Sequence, residues 1–285
     1  VYLCAAGKGA DMRRGLAVIK LFGVVATAAV IMPAQFVAIA LHQPTARRIP
    51  KGFHKAMLWL IGLRVDVRGQ PVKGEPVFFV SNHASYLDVV VLGSKIEACF
   101  VAKSEVARWP FFGWLAHAAR TVFLERDRRA QTGRQRDTLI ARLAGGDSLV
   151  LFPEGTSNDG NRMERFKSAL LSAAEGEMPG GGEPWVQPVS IAYTGVHGIP
   201  MGRPMRPKFA WYGDMELVPH LYDLMQIGPC EVEVHFLEPV RASDFASRKH
   251  LSEHCHSEIS AALGAALQGK PVQGIMRAPL SSSRR

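Results

Sequence analysis

The chain has 285 residues, of which 47% are hydrophobic, and its 34 Lys and Arg against 25 Asp and Glu give a formal net charge of +9. That apolar share supports a packed core and excludes a disordered or collagen-like chain, and the length fits one sizeable domain plus a membrane segment. The basic surplus selects anionic partners, whether lipid surfaces, nucleic acid or acidic proteins, without choosing among them. The four cysteines (Cys4, Cys99, Cys230 and Cys255) form no Cys-x-x-Cys pair. This excludes a zinc ribbon or thioredoxin-like site and reads as reduced thiols in a cytosol-facing domain.

Residues 1–12 differ in character from the rest of the chain, and Met12-Arg13-Arg14 reads as the true beginning, the preceding residues being a start-site artefact. No charge lies between Leu21 and Leu41, close to the roughly 20 residues a helix needs to cross hydrocarbon. The run is too long for the apolar part of a secretory signal. Arg13, Arg14 and Lys20 precede it, while Arg47, Arg48 and Lys51 lie beyond it, so the positive-inside rule gives no orientation. Pro33 can kink or divide it. Residues 13–60 therefore read as a membrane anchor: a spanning helix, or else a pair of shorter helices lying in the interface, with a buried core helix as the third reading.

Downstream, Val65–Arg68 alternates as a strand and Val77–Val80 is an apolar, buried one. Tyr86–Leu92 reads as a helix, Cys99–Ala102 as a strand, Pro110–Ala119 as a helix with aromatic anchors, and Thr121–Leu124 as a strand. Arg128–Leu143 is a charged amphipathic helix stopped by Gly145-Gly146. Leu149–Phe152 is a strand, Glu164–Glu175 a helix, Val186–Tyr193 and Glu231–Leu237 strands, and Ser243–Leu267 a helix. This alternation predicts an α/β domain over 61–269, one mixed sheet covered by helices, and a loose basic tail over 270–285.

The segment Ser81-Asn82-His83-Ala84-Ser85-Tyr86-Leu87-Asp88 leaves the apolar strand with a histidine and an aspartate five positions apart. A neutral imidazole takes a proton from a hydroxyl near pH 7, and a carboxylate can hold it in the required tautomer. On a regular helix the two point about 140° apart, and on a strand to opposite faces. They meet only if the chain turns, with Ser85 as N-cap and Asp88 in the first helical turn. The competing reading is a plain capping box of the Ser-x-x-acid type. A second apolar strand breaks into Phe152-Pro153-Glu154-Gly155-Thr156. There Gly155 permits a sharp turn and close approach of a ligand, while Glu154 accepts and Thr156 donates hydrogen bonds; an ordinary strand exit competes. Arg126, after Phe123 and Leu124, suits a solvated surface or a bidentate phosphate contact.

Taken in order, Asn82-His83-x-x-x-x-Asp88, Phe123-x-x-Arg126, Phe152-Pro153-Glu154-Gly155-Thr156 and Val186-x-Pro188-Val189 resemble the four motifs of the glycerolipid acyltransferases, especially the bacterial 1-acylglycerol-3-phosphate acyltransferases. The resemblance spans about Leu60 to Val240. It implies that His83 is the general base for an acceptor hydroxyl and that Asp88 orients it. It further implies that Phe123, Arg126, Glu154, Gly155 and Thr156 bind the acceptor, with Arg126 on its phosphate, and that Pro188 shapes the acyl site. The implied reaction moves a fatty acyl group from acyl carrier protein or coenzyme A to 1-acylglycerol-3-phosphate, giving phosphatidic acid in phospholipid biosynthesis. The implied location is the inner membrane, with the catalytic domain on its cytoplasmic face. No metal or redox cofactor is implied, because the thioester is already activated.

One departure bears on the acceptor. Relatives acting on lysophosphatidate commonly carry a basic residue directly after the Glu-Gly-Thr turn; here that place is taken by Ser157-Asn158-Asp159-Gly160, with Arg162, Arg165 and Lys167 later. Another lyso-lipid, such as lyso-ornithine lipid, is the alternative acceptor. A non-catalytic membrane lipid-binding protein is the alternative of another class, and a nucleic-acid binder has only charge in its favour. His250, His254, Cys255 and His256 cluster near the C-terminus without a third ligand on one helix face, so a solvated face is preferred to a metal site. Trp109, Phe111, Phe112 and Trp114 divide between acyl-tunnel lining and lipid contact. The run Glu125–Arg129 reads as a solvated face, from which Arg128 and Arg129 could meet an acidic carrier protein.

Overall fold

The structure, a computed structural model, describes residues 2–125, 132–178 and 181–274. Helix α1 (Tyr2–Ala40) runs unbroken through Pro33, so the proline does not divide the apolar run. A 3-10 turn (Pro44–Arg47) leads into helix α2 (Ile49–Ile61), which ends on Gly62 in the left-handed region. The stretch Asp11–Ala40 is long and apolar enough to cross a membrane, and most of its surface is turned outward. One stripe of it, Ala17, Val24, Ala28, Gln35 and Ala38, is buried, as expected of positions a helix gathers on one face. Gly23 receives Leu60 of α2. The Gln35 amide donates to the carbonyls of Ala46 at 3.0 Å and Ala118 at 2.7 Å, tying α1 to its own turn and to the domain behind it. The outward face carries Ile19, Phe22, Val25, Val30 and Phe36, and Trp59 and Trp114 are exposed as well.

The remaining elements are β1 (Leu63–Arg68), β2 (Val77–Ser81), α3 (Leu87–Lys95), β3 (Ala98–Lys103), α4 (Phe112–Ala118), β4 (Val122–Leu124), α5 (Thr132–Ala144), β5 (Ser148–Leu151), β6 (Trp185–Val196), β7 (Ile199–Pro200), α6 (Leu217–Ile227), β8 (Cys230–Phe236) and α7 (Arg248–Leu267). The strands form one mixed sheet in the order β1-β8-β6-β2-β5-β3-β4, with β7 paired to β6. All neighbours on this path are parallel except β6 and β8. Helices cover both faces, as expected for an α/β domain. Successive residues of β2 alternate between them: Val77 and Phe79 face the core under α1, α2, α3 and α6, while Phe78 and Val80 face the core under α5 and α7. Burial on both sides explains why this strand is apolar throughout.

Several local expectations differ. Glu164–Glu175 is not one helix: only Ser168–Glu175 winds, as a 3-10 helix. The Glu164 N–H is bound by the Glu154 side chain and the Lys167 N–H by the Pro153 carbonyl, which holds the chain against the second strand exit before it can wind. The C-terminal helix begins at Arg248, capped by Ser247, rather than at Ser243. Helix α6 has no counterpart among the expected elements. It packs on α1 and supplies Leu221 and Leu224 to the core. Where α2 meets α3, a Cβ on Gly93 would lie 2.1 Å from His54 Nδ1, so glycine is needed for α2 to seat its buried histidine. Burial pulls that histidine down to about 4, which keeps it neutral.

A buried aspartate locks this arrangement from the opposite end of the sheet. Asp147 accepts a bidentate pair from Arg120 at 2.9 and 2.7 Å and one bond from Arg142 at 2.8 Å, and Arg47 lies at 3.1 Å. Arg47 comes from the turn between α1 and α2 and also donates to the Gly145 carbonyl at 2.6 Å, so the cluster clamps the helix pair to the sheet. Asp147→Ala leaves three arginines facing one another. We expect it to lower unfolding stability by about 3 kcal/mol, measured by thermal or denaturant unfolding in detergent.

Candidate active site

Strands β2 and β5 are parallel neighbours, with Val80 opposite Leu151. Their C-terminal exits, Asn82–Tyr86 and Phe152–Thr156, therefore leave the sheet side by side, where ligand sites of α/β sheets form. Asn82 is anchored by β6: its amide donates to the Ile191 carbonyl at 2.9 Å and its Oδ1 accepts from the Ile191 N–H at 2.8 Å. That reciprocal pair, closed by a side chain, ends β2 and turns the next residue, His83, out of the sheet.

The chain then turns between His83 and Asp88 as their pairing requires, and His83 Nδ1 lies 2.9 Å from Asp88 Oδ2. The same oxygen accepts the Ala84 N–H at 2.7 Å and the Ser85 N–H at 2.9 Å, while Oδ1 accepts the Tyr193 hydroxyl at 2.8 Å. One correction concerns Ser85. Helix α3 begins at Leu87 without a side-chain cap, and Ser85 Oγ has no hydrogen-bond partner. The carboxylate supplies the reach-back half of a capping box by itself, so the capping and dyad readings hold together. Asp88 is fully buried, and four donors together with the positive end of α3 answer its oxygens there. Since Asp88 accepts, Nδ1 carries the proton and Nε2 presents its lone pair. The imidazole stacks on Phe152 at 4.1 Å between centroids, and Phe152 stacks on Phe100 at 6.3 Å.

Glu154 braces the His83 loop from the β5 side. Its Oε1 accepts the His83 N–H at 2.8 Å, and its Oε2 accepts Asn158 Nδ2 at 2.7 Å and the Glu164 N–H at 2.8 Å. Burial pushes the carboxyl up to about 7 against these three donors. Gly155 comes next with φ of 75°, in the left-handed region where a side chain is strained, and so the turn requires glycine. Asn158 closes the circuit: its N–H reaches the His83 carbonyl at 3.3 Å and its Oδ1 accepts the Gly160 N–H at 2.8 Å.

Two cavities lie near this corner. An apolar one of about 220 Å³ lies under α1 and α2 and is lined by Val24, Met57, Tyr86, Phe100, Phe112 and Leu221 among others. Phe100 thus belongs both to its wall and to the ring stack that reaches His83. A polar one of about 490 Å³ opens from Glu154, Thr156 and Asn158 toward Tyr212. The arrangement can deprotonate a hydroxyl presented from the polar side and hold an alkyl chain on the apolar side.

The other expected positions are more scattered. Phe123 is in β4 near the sheet edge, its ring 4.8 Å from His117, and it lines neither cavity. Arg126, Arg128 and Arg129 lie outside the described residues. Pro188 sits within the sheet opposite Val80, in the interior strand β6, and is not among the residues lining the apolar cavity. Trp109 and Phe112 line that cavity while Trp114 is exposed. Among the described residues no group of three or more His, Cys, Asp or Glu could hold a metal. His254 and His256 pack on Phe245 and Phe166, and burial raises the Cys255 thiol to about 12. Tyr193 and Asn158 are site residues that sequence reasoning misses. The available signal for Tyr193 is a phenol inside an apolar strand, which needs a partner when buried.

A histidine held by a buried carboxylate, in a corner with an apolar and a polar cavity nearby, has the build of an acyl-transfer site. The model of the acyltransferase family matches residues 64–192. The chain is 43% identical over 244 residues to the lyso-ornithine lipid O-acyltransferase of Brucella abortus, covering 85% of this chain and 91% of that one. It is 42% identical to the enzyme of the same name from Rhizobium meliloti, covering 85% and 83%. The crystal structure of the 1-acyl-sn-glycerophosphate acyltransferase from Thermotoga maritima shares the fold, with a TM-score of 0.62 at 22% identity over 90% of this chain and 96% of that one. The chain belongs to the glycerolipid acyltransferase family and is an acyltransferase of lipid biosynthesis, associated with membranes.

This geometry sets two outcomes. Tyr193→Phe removes one charge-assisted bond from Asp88 and keeps the ring, which stacks near Phe209. It should lower kcat about tenfold, the scale of a bond worth roughly 1.5–3 kcal/mol, with the acceptor KM little changed in steady-state transfer assays. Because the folded value for Glu154 lies above the ordinary 4.5, folding favours its protonated form. Its contribution is complete below pH 4.5 and gone as pH rises past about 7. The thermal midpoint of the native protein relative to Glu154→Gln should fall across that window and stay level above it.

Proposed function

We propose that this chain is an O-acyltransferase that moves a fatty acyl group from a thioester to the free hydroxyl of lyso-ornithine lipid. The observation that carries this is the pair of relatives above 40% identity that bear that name and align with most of their length. The first expectation, 1-acylglycerol-3-phosphate, finds its counterparts at lower identity: 27% over 203 residues for the 1-acyl-sn-glycerol-3-phosphate acyltransferase of Neisseria gonorrhoeae, and a structure at 22% that speaks for the fold. The loop after Glu154-Gly155-Thr156 agrees with the shift, since Ser157 stands where relatives acting on lysophosphatidate commonly carry a basic residue, and the first charge to follow is the carboxylate of Asp159.

In this reading the acyl chain lies in the apolar cavity with its thioester carbonyl beside His83. Nε2 of His83 takes the proton of the acceptor hydroxyl while Asp88 holds Nδ1–H and balances the imidazolium. The alkoxide oxygen attacks the thioester carbon, the tetrahedral intermediate collapses with cleavage of the carbon–sulfur bond, and the imidazolium returns its proton to the departing thiolate. The products are the ester and a free thiol on acyl carrier protein or coenzyme A. No metal or redox group is called for, since no bond changes oxidation state. Glu154, Gly155 and Thr156 shape the acceptor side; Phe123 and Arg126 remain candidates for it from the sequence pattern.

The membrane mode is argued from α1. A helix buried along one stripe from Ala17 to Ala38 against the catalytic domain keeps its apolar outer face, with Trp59 and Trp114 beside it, available to one leaflet. The location proposed is the cytoplasmic face of the inner membrane, the side on which thioester donors are available.

Purified protein, given acyl thioester and either lyso-ornithine lipid or lysophosphatidate, should acylate the former at least tenfold more efficiently by kcat/KM. His83→Ala should reduce transfer by about 10³-fold or more while leaving liposome binding intact. Preferential product on lysophosphatidate would reject the acceptor, and undiminished transfer by His83→Ala would reject the mechanism.

A further inference from the structure

We infer that the polar cavity beside Glu154 reads an acceptor head group of two signs, with Asp159 taking an ammonium and Arg165 with Lys167 taking a carboxylate. This rests on the lyso-ornithine reading above and names the side chains that would enforce it. The cavity starts one hydrogen bond from the base, because Glu154, in its wall, holds the His83 N–H at 2.8 Å. A head group seated there belongs to the molecule whose hydroxyl faces the imidazole.

Both signs of charge line the cavity. Arg162 and Glu164 face each other as an exposed ion pair at 3.6 Å. Asp159 differs: its oxygens accept only the Asn161 N–H at 3.0 Å and Asn161 Nδ2 at 3.3 Å, both neutral donors. Among the described residues no cation pairs with it, and no carboxylate pairs with Arg165 or Lys167. One uncompensated carboxylate and two uncompensated cations therefore border the same polar space.

The carboxylate is also held in position, as a recognition group must be. Asn161, which fixes Asp159, accepts from Arg206 Nη1 at 2.9 Å, and buried Arg206 is itself anchored on the Met201 carbonyl at 3.0 Å and the Leu267 carbonyl at 3.3 Å. On the other side Asn158 ties the loop to Glu154 and to the His83 carbonyl. Asp159 thus stands on the same framework as the imidazole.

The chemistry separates the acceptors. An ornithine acylated on one amine keeps one carboxylate and one ammonium, matching the two signs of the cavity. A phosphate monoester brings only negative charge and would meet Asp159 without compensation, a repulsive element that excludes the wrong substrate as much as it welcomes the right one.

The test uses the full-length protein in detergent micelles with a saturating acyl thioester. Three acceptors are compared: lyso-ornithine lipid, the same molecule acetylated on its free amine, and its methyl ester. Asp159→Asn should raise KM for lyso-ornithine lipid about tenfold, and that penalty should shrink below twofold on the acetylated acceptor. Arg165→Gln combined with Lys167→Gln should raise KM similarly, with the penalty shrinking on the methyl ester. Asp159→Asn should also improve kcat/KM for lysophosphatidate. Equal penalties on all three acceptors, or none, would overturn the assignment while leaving lyso-ornithine lipid as the acceptor. Failure of the native protein to acylate lyso-ornithine lipid would overturn both. A paired variant, Asp159→Glu, keeps the charge and should recover most of the loss, separating recognition from damage to the loop.

Discussion

A carboxylate with no exposure to water must have its charge answered by the protein, and Asp88 is that carboxylate. Its four donors come from separate parts of the chain: two backbone N–H groups of the strand exit, the His83 imidazole and the Tyr193 hydroxyl from β6. Satisfying them all at once sets the path of the loop, the start of α3 and the distance between β2 and β6. The Nε2 of His83 is aimed by this requirement. The corner is rigid because each alternative leaves a buried charge or a buried N–H unanswered.

The second strand exit is built on a complementary principle. Glu154 is also buried, but burial outweighs its donors and lifts the carboxyl to about 7. Two buried acids on neighbouring loops thus play different parts, one balancing the imidazole and the other bracing its backbone. Adjacent parallel strands bring them together, and the same adjacency sets the polar cavity on one side and the apolar cavity on the other. The N-terminal helices complete the apolar side, being held by Gln35, by the Arg47–Asp147 contact and by the close fit of Gly93 to His54. Loosening that clamp would open the acyl side without touching the chemistry.

Much of the fold is legible in the sequence because its cause is local. Unbroken apolar runs such as Val77–Val80 and Leu149–Phe152 can only be strands buried on both faces in an α/β context, and the mixed sheet is implied by their alternation with helices. The His83–Asp88 pair is readable as a corner, since no regular element lets positions five apart meet. Other features are not readable. Ser85 is a plausible cap by type, yet its hydroxyl is idle, because the carboxylate three residues on reaches the same amides. The chain after Glu154 looks helical by composition, but long-range bonds to Glu154 and Pro153 take the backbone donors.

The amino-acid sequence by itself determined the class of the molecule: an α/β domain behind an apolar N-terminal helix, with a histidine, an aspartate and a Pro-Glu-Gly-Thr turn in a recognisable order. These are properties of neighbouring residues, set by periodicity, turn chemistry and spacing, and they survive without knowledge of the whole. Only the tertiary structure decided which distant groups complete them. Tyr193 stands 105 positions from Asp88, and Asn158 stands 75 from His83 in sequence, so their roles depend on strand order and register. The way α1 lies against the domain likewise depends on shape fit between surfaces far apart in the chain, which no local pattern of residues encodes.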